Sequence, residues 1–309
     1  MLPTSPERFQ HLTFLGDRPV PDAAPARGGD DPPAGPAPVD AASAALFASI
    51  CQRWGLSAHR YRTSVFLRRQ AACLRALRVA TPDEGLHAVR LNPAASERAL
   101  GALMIGVTQF FRDPEVFDAL QGRVWTLRRG AGPPRVLSIG CSDGSELYSI
   151  AILMAEAGIL DGSRLHGIDC RPAAIDAARA GVFPRSAIQA LAPAWRARYF
   201  APVRPELRRR PLTGAAAMVQ VVDRLRDVCL WHREDAFAGT GVEGAFDLIL
   251  CRNLAIYLTE EAAAELWSDW VERLRPGGLL VTGKAERPPH HIRTRLRRLG
   301  ASLYAKEHR

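Results

Sequence analysis

The sequence predicts an α/β fold: a mainly parallel sheet with helices on both faces, preceded by a small all-helical module. Two observations predict it. From residue 135 onward, short apolar runs alternate with helical patterns, the mark of a parallel sheet with crossover helices. Before residue 112 only helical patterns occur. The N-terminal stretch 18–45 is dominated by Pro, Ala, Gly and Asp and lacks large apolar residues, so it buries too little surface to offset its chain entropy. The expected organisation is a disordered tail over 1–42, a helical module and linker over 43–112, and the sheet domain over 113–309, with a small arginine-rich insert at about 201–230.

In chain order, Leu46, Phe47, Ile50, Cys51 and Trp54 recur at helical spacing, and Gly55 can end that helix. A second helix is expected from Ser64 to Arg78. Phe66, Leu67, Cys73, Leu74 and Leu77 fall on one arc about 120° wide, and Arg68, Arg75 and Arg78 on a neighbouring arc of about 80°. Thr81-Pro82-Asp83-Glu84 reads as a helix start with proline at its first position. Asn92-Pro93 opens another, reaching Ile105, and Pro114 one more. Strands are expected at 135–140, 164–169, 228–232, 246–251 and 279–283, with helices at 145–157, 172–180 and 259–274 between them. Arg275-Pro276-Gly277-Gly278 reads as a turn.

Composition excludes several classes. The chain of 309 residues carries a formal net charge of +9, almost all of it arginine, since the only lysines are Lys284 and Lys306. Residues 41–105 alone hold nine arginines against three acids. No apolar run reaches the roughly 18–20 residues that span a bilayer, and the first residues do not read as a secretory signal. The six cysteines are scattered, with no C-x-x-C pair and no zinc spacing, so a soluble, cytoplasmic protein without a metal site is expected. His290 and His291 lie in a Pro/Arg segment without nearby ligands.

The chemistry concentrates at one strand–loop–helix unit. Gly140-Cys141-Ser142-Asp143-Gly144 follows the first strand, a glycine turn that lets a ligand approach the backbone. About 30 residues later Asp169 closes the second strand, where an acid accepts hydrogen bonds from ribose hydroxyls. The loop is neither G-x-G-x-x-G nor G-x-x-x-x-G-K-[ST], which disfavours dinucleotides and triphosphates. S-adenosylmethionine, which carries no phosphate, fits better. Leu274-Arg275-Pro276-Gly277-Gly278 resembles the "L-x-P-G-G" turn of class I methyltransferases.

Four segments then narrow the resemblance. They are Thr108-Gln109-Phe110-Phe111-Arg112, the loop from Gly140 through Glu146 to Ser149, Arg179-Ala180-Gly181-Val182-Phe183 with Tyr199-Phe200, and Phe246 to Tyr257, which contains Cys251-Arg252-Asn253. Together they resemble the CheR-type chemoreceptor glutamate methyltransferases, over about residues 44–308. The resemblance implies a class I S-adenosylmethionine-dependent fold and methyl ester formation on glutamates of a chemoreceptor's cytoplasmic helical bundle. It implies that Thr108, Arg112, Gly140, Glu146 and Asp169 bind the cofactor, with Asp235 and Ala236 by the adenine and Arg252 and Asn253 approaching from the fourth strand. Arg112 and Tyr257 would flank the transferring methyl, and the helical module, with Arg68, Arg75 and Arg78, would dock on the acidic bundle. The chain departs from the family pattern at Gly106, where the family has Asn, and at Asp143 and Ser145 within the family's "T-G-E-E-P".

Such a reaction suits these residues. A surface glutamate has a pKa near roughly 4.3 and is ionised at neutral pH, so no general base is needed. An arginine fork and a tyrosine hydroxyl can hold a carboxylate. Two other readings stay open at this point: a methyltransferase for another substrate such as RNA, and a non-catalytic signalling relative that keeps the fold. RNA binding is disfavoured, because Tyr61 and Phe66 are the only aromatics among the basic residues of 60–80, and Phe66 lies on the apolar face.

Overall fold

A computed structural model describes residues 40–104, 106, 108–124, 126–127, 132–204, 218–237 and 241–307. The expected tail lies outside the described residues up to residue 39.

Four helices form the N-terminal module: α1 (Ala41–Arg53), α2 (Thr63–Leu77), α3 (Pro82–Leu91) and α4 (Pro93–Leu103). α1 starts earlier than its apolar pattern. Asp40 caps it by accepting from the Ser43 N–H at 2.8 Å, and the alanines that follow favour helix without needing burial. Thr81 and Glu84 form a reciprocal capping box at the start of α3, and the Asn92 side chain caps α4 through the N–H groups of Ala94 and Ala95. α4 ends at Leu103, short of the expected Ile105. α2 packs on α4 and α1 on α3.

The sheet domain contains α5 (Pro114–Val124), β1 (Arg135–Ile139), α6 (Ser145–Glu156), β2 (Arg164–Asp169), α7 (Pro172–Ala180), β3 (Val182–Pro184), α8 (Pro193–Tyr199), β4 (Phe200–Pro202), β5 (Met218–Val221), α9 (Asp223–Arg226), β6 (Cys229–Arg233), β7 (Phe246–Cys251), α10 (Glu260–Glu272), β8 (Leu274–Thr282), α11 (His290–Arg293), β9 (Leu296–Arg298) and β10 (Leu303–Lys306). Seven strands make the main sheet in the order β6-β2-β1-β7-β8-β10-β9. The first five run parallel, and β10 and β9 close the far edge antiparallel. A separate three-stranded antiparallel sheet, β3-β5-β4, stands beside it. That small sheet begins before the expected insert, since β3 precedes residue 201, and ends within it, since β6 already belongs to the main sheet.

Both faces of the main sheet are covered, which explains the continuous apolar strands. β7 is buried along its whole length. Val136, Leu248, Leu250 and Val281 point into one core with the apolar helix α6. Leu137, Ile139, Ile249, Cys251 and Leu280 point into the other, which is continuous with the core of the helical module through Phe47, Phe66 and Leu100. Arg275 to Gly278 lie within β8 rather than in a separate turn. The ladder shifts register there, between Phe246 and Leu248, and Gly277 adopts φ +77°.

From β1 the chain moves to β2 on one side and later to β7 on the other. A crevice opens at the carboxyl ends of strands where the order reverses in this way, and ligands of open α/β sheets bind there. Here those ends are Ile139, Asp169 and Cys251.

Candidate active site

A cavity of about 380 Å³ occupies that crevice, within the roughly 300–1,000 Å³ of small-molecule sites. Its floor is the glycine loop. Gly140 leaves β1 at φ +69°, and the N–H groups of Gly140 and Cys141 both donate to the Ile168 carbonyl. Gly144 begins α6 at φ +85°, and a Cβ there would lie 2.6 Å from the Trp231 ring, so glycine is required by both conformation and space. Asp143 and Ser145, both departures from the family pattern, satisfy each other: the Asp143 carboxylate accepts from the Ser145 N–H at 3.0 Å and its hydroxyl at 2.7 Å.

Asp169 stands at the end of β2, 5% exposed. Its Oδ1 accepts from the Arg171 backbone N–H at 2.9 Å and from Arg171 Nε at 3.0 Å. Its Oδ2 accepts from the Ser142 N–H at 3.0 Å and from Arg171 Nη2 at 2.9 Å. Arg171 Nη1 also donates to the Met104 carbonyl at 3.1 Å, which ties the guanidinium to the end of the helical module.

Glu146 and Arg252 line the cavity but also hold each other, at 3.0 Å. Glu146 accepts in addition from the Ser138 hydroxyl at 2.8 Å. The Arg252 guanidinium, 3% exposed, donates to the Arg112 carbonyl at 2.8 Å and pairs with Asp113 at 2.6 Å. One buried cation therefore joins the Phe-Phe-Arg, glycine-loop and Cys-Arg-Asn segments. Phe110 packs edge-on against Phe183 and Phe200, and Phe111 packs at a tilt against Phe117 and Trp195. These anchors leave Thr108 and Arg112 on the cavity wall.

The wall formed after β7 depends on a residue with no sequence signal. Asn253 adopts φ +58° and lines the cavity. Glu286, 4% exposed, accepts from the N–H groups of Asn253 at 2.7 Å, Gly283 at 2.9 Å and Ile256 at 3.3 Å. Burial outweighs those bonds and raises its carboxyl above the ordinary glutamate range. Tyr257 lines the cavity from the next turn, and its carbonyl accepts from the Arg62 N–H at 2.9 Å.

The helical module thus reaches the site directly. Tyr61 bridges to Leu258 and lines the cavity, 8% exposed, so its ring is not presented on the outer surface of the module. Beside it, Arg60 lies 4.1 Å over the Phe237 ring. Asp235 and Ala236 complete that side, and burial raises the Asp235 carboxyl. All ten residues expected at the cofactor and methyl-transfer site therefore line one cavity. Arg68, Arg75 and Arg78 do not; they are exposed on the surface of the helical module. Sequence reading missed Tyr61, Arg171 and Glu286 as contributors. Only Arg171 gave a usable signal, as the second residue after the strand-end acid.

The arrangement suits a nucleoside without phosphates: a buried strand-end carboxylate that accepts hydrogen bonds, a glycine turn for close approach, and no phosphate-binding lysine in the loop. Residues 106–304 match the family described as CheR methyltransferase, SAM binding domain. The chain belongs to the CheR methyltransferase family.

Curated CheR relatives extend the match over most of the chain. It is 30% identical over 219 residues to the "Probable chemotaxis protein methyltransferase" of Rhizobium etli, covering 68% of this chain and 78% of that one. It is 29% identical over 274 residues to the chemotaxis protein methyltransferase of Salmonella typhimurium, covering 86% and 91%. A third relative, the "Probable biofilm formation methyltransferase WspC" of Pseudomonas putida, is 32% identical over 64% of this chain and 46% of its own length. This CheR-family chain is an S-adenosylmethionine-dependent methyltransferase with the class I fold.

Proposed function

We propose that the protein transfers a methyl group to glutamate side chains on the cytoplasmic helical bundle of a chemoreceptor, forming methyl esters, and that it works in the cytoplasm. The observation that carries this reading is the meeting of Arg112 and Tyr257 on the wall of the cavity that also contains Asp169 and the glycine loop. No described helix is long and apolar enough to cross a membrane.

Bound S-adenosylmethionine supplies an electrophilic methyl whose C–S bonding electrons return to sulfur on transfer. In the proposed assignment, Asp169 holds the ribose diol and Asp235 and Ala236 border the adenine. Glu146 and Arg252 keep the loop and the segment after β7 in register, and Thr108 and Asn253 close the pocket around the donor. Arg112 and Tyr257 hold the acceptor carboxylate in line and displace its water. The carboxylate oxygen attacks as the anion, so no protein group needs to take a proton.

The exposed arginines Arg68, Arg75 and Arg78 complement an acidic coiled coil. The reading is tested by incubating the protein with S-adenosylmethionine and a chemoreceptor cytoplasmic fragment, then mapping the modified residue by mass spectrometry. Methyl ester on glutamates, abolished by their conversion to glutamine, is the expected outcome. Methylation elsewhere on the fragment, or none, rejects it. Arg112→Ala should lower kcat/KM by about 100-fold or more through lost orientation of the acceptor.

A further inference from the structure

We propose that Arg171 is a latch on the cofactor site: its side chain holds the Asp169 lone pairs that the ribose diol requires, and it must swing away for the cofactor to bind. The inference rests on the ribose role proposed for Asp169. A carboxylate offers about four lone-pair sites. In Asp169 they are taken by two backbone N–H groups, from Ser142 and Arg171, and by two side-chain N–H groups of Arg171. The backbone donors belong to the loop and strand end and stay in place. The side-chain donors, Nε and Nη2, take one site on each oxygen, as two adjacent ribose hydroxyls would.

Gly106 makes the latch possible. A Cβ at residue 106 would lie 2.4 Å from Arg171 Nη1 and 2.5 Å from the Ser142 hydroxyl. The departure from asparagine at this position therefore opens the space that the guanidinium fills, and the Met104 carbonyl gives the third guanidinium nitrogen a partner. Because Met104 caps the C-terminus of α4, the latch also links the helical module to the cofactor pocket.

A ligand that binds only the open state has its affinity reduced by the fraction of time the latch is open. Arg171→Ala removes the competitor, so binding of S-adenosylhomocysteine, read by titration calorimetry, should tighten by about tenfold or more. A 2′,3′-dideoxy analogue, which makes no claim on those lone pairs, should bind wild type and Arg171→Ala alike. Gly106→Ala should reproduce the gain by displacing the guanidinium, and the double variant should add nothing further. Arg171→Gln gives a second readout should the alanine variant prove unstable, with the same direction expected.

Weaker or unchanged S-adenosylhomocysteine binding in the folded Arg171 variants overturns the latch. So does an equal gain for the dideoxy analogue. Failure of the ribose reading has a different signature: Asp169→Ala would then leave S-adenosylhomocysteine affinity unchanged.

Discussion

Single residues in this site act in compensated sets. Asp143 pairs with Ser145, and Gly106 makes room for Arg171, so each departure from the family pattern meets a partner in the fold. Asp169 and the glycine loop were legible in the sequence because strand-end position and glycine geometry are local properties. Glu286 was not: it lies 33 residues from Asn253, and only the folded chain brings its carboxylate to the Asn253 N–H. Glu286→Gln keeps one carbonyl acceptor but turns an amide toward a backbone N–H, and should cost about 1 kcal/mol of stability. The pH dependence carries a sign. Because the folded carboxyl is raised, folding takes up a proton, and the Glu286 contribution is fullest below the ordinary glutamate pKa and declines as pH rises through the raised one. Thermal unfolding followed from about pH 4 to about pH 7 should show the gap between wild type and Glu286→Gln narrowing as pH rises. A constant or widening gap contradicts this account of the site.

Elements were legible where periodicity runs long enough. α2, α6 and β7 follow their patterns closely, and α10 begins one residue after its threonine cap. α8, α9 and α11 and the strands β3, β4 and β9 are too short to show a period, and tertiary pairing defines them. α1 shows the opposite failure: a cap and small residues extend a helix beyond its apolar stripe. α2 is capped at its C-terminus by Arg78, whose backbone is left-handed at φ +61°. Arg78→Gly removes that strain and should raise stability by about 0.5–1 kcal/mol, measured by denaturant midpoint at constant slope. The exposed arginine face of α2 makes a separate prediction. Arg68→Glu, Arg75→Glu and Arg78→Glu together should raise KM for the receptor fragment at least about tenfold and leave S-adenosylhomocysteine affinity unchanged. A parallel loss of both would mean that the fold, rather than the docking face, had been disturbed.

At the scale of the whole molecule, the helical module and the sheet domain work as one site. The Arg60-Tyr61-Arg62 segment binds Tyr257, Leu258 and Thr259 through backbone bonds, and a shared apolar core lies beneath. The sequence separated two architectures correctly but did not reveal this strap, because three residues between helices carry no pattern. The formal charge of +9 is concentrated in residues 41–105, away from the cofactor loop. Such a field suits an acidic protein surface, and Tyr61 and Phe66, the aromatics among the basic residues of 60–80, are both buried. The most direct test offers labelled S-adenosylmethionine with receptor-rich membranes and total RNA in one reaction, and then treats the products with mild alkali. The account predicts alkali-labile label on receptor, lost with Arg112→Ala; label on RNA, alkali-stable label, or label undiminished in the variant would contradict it.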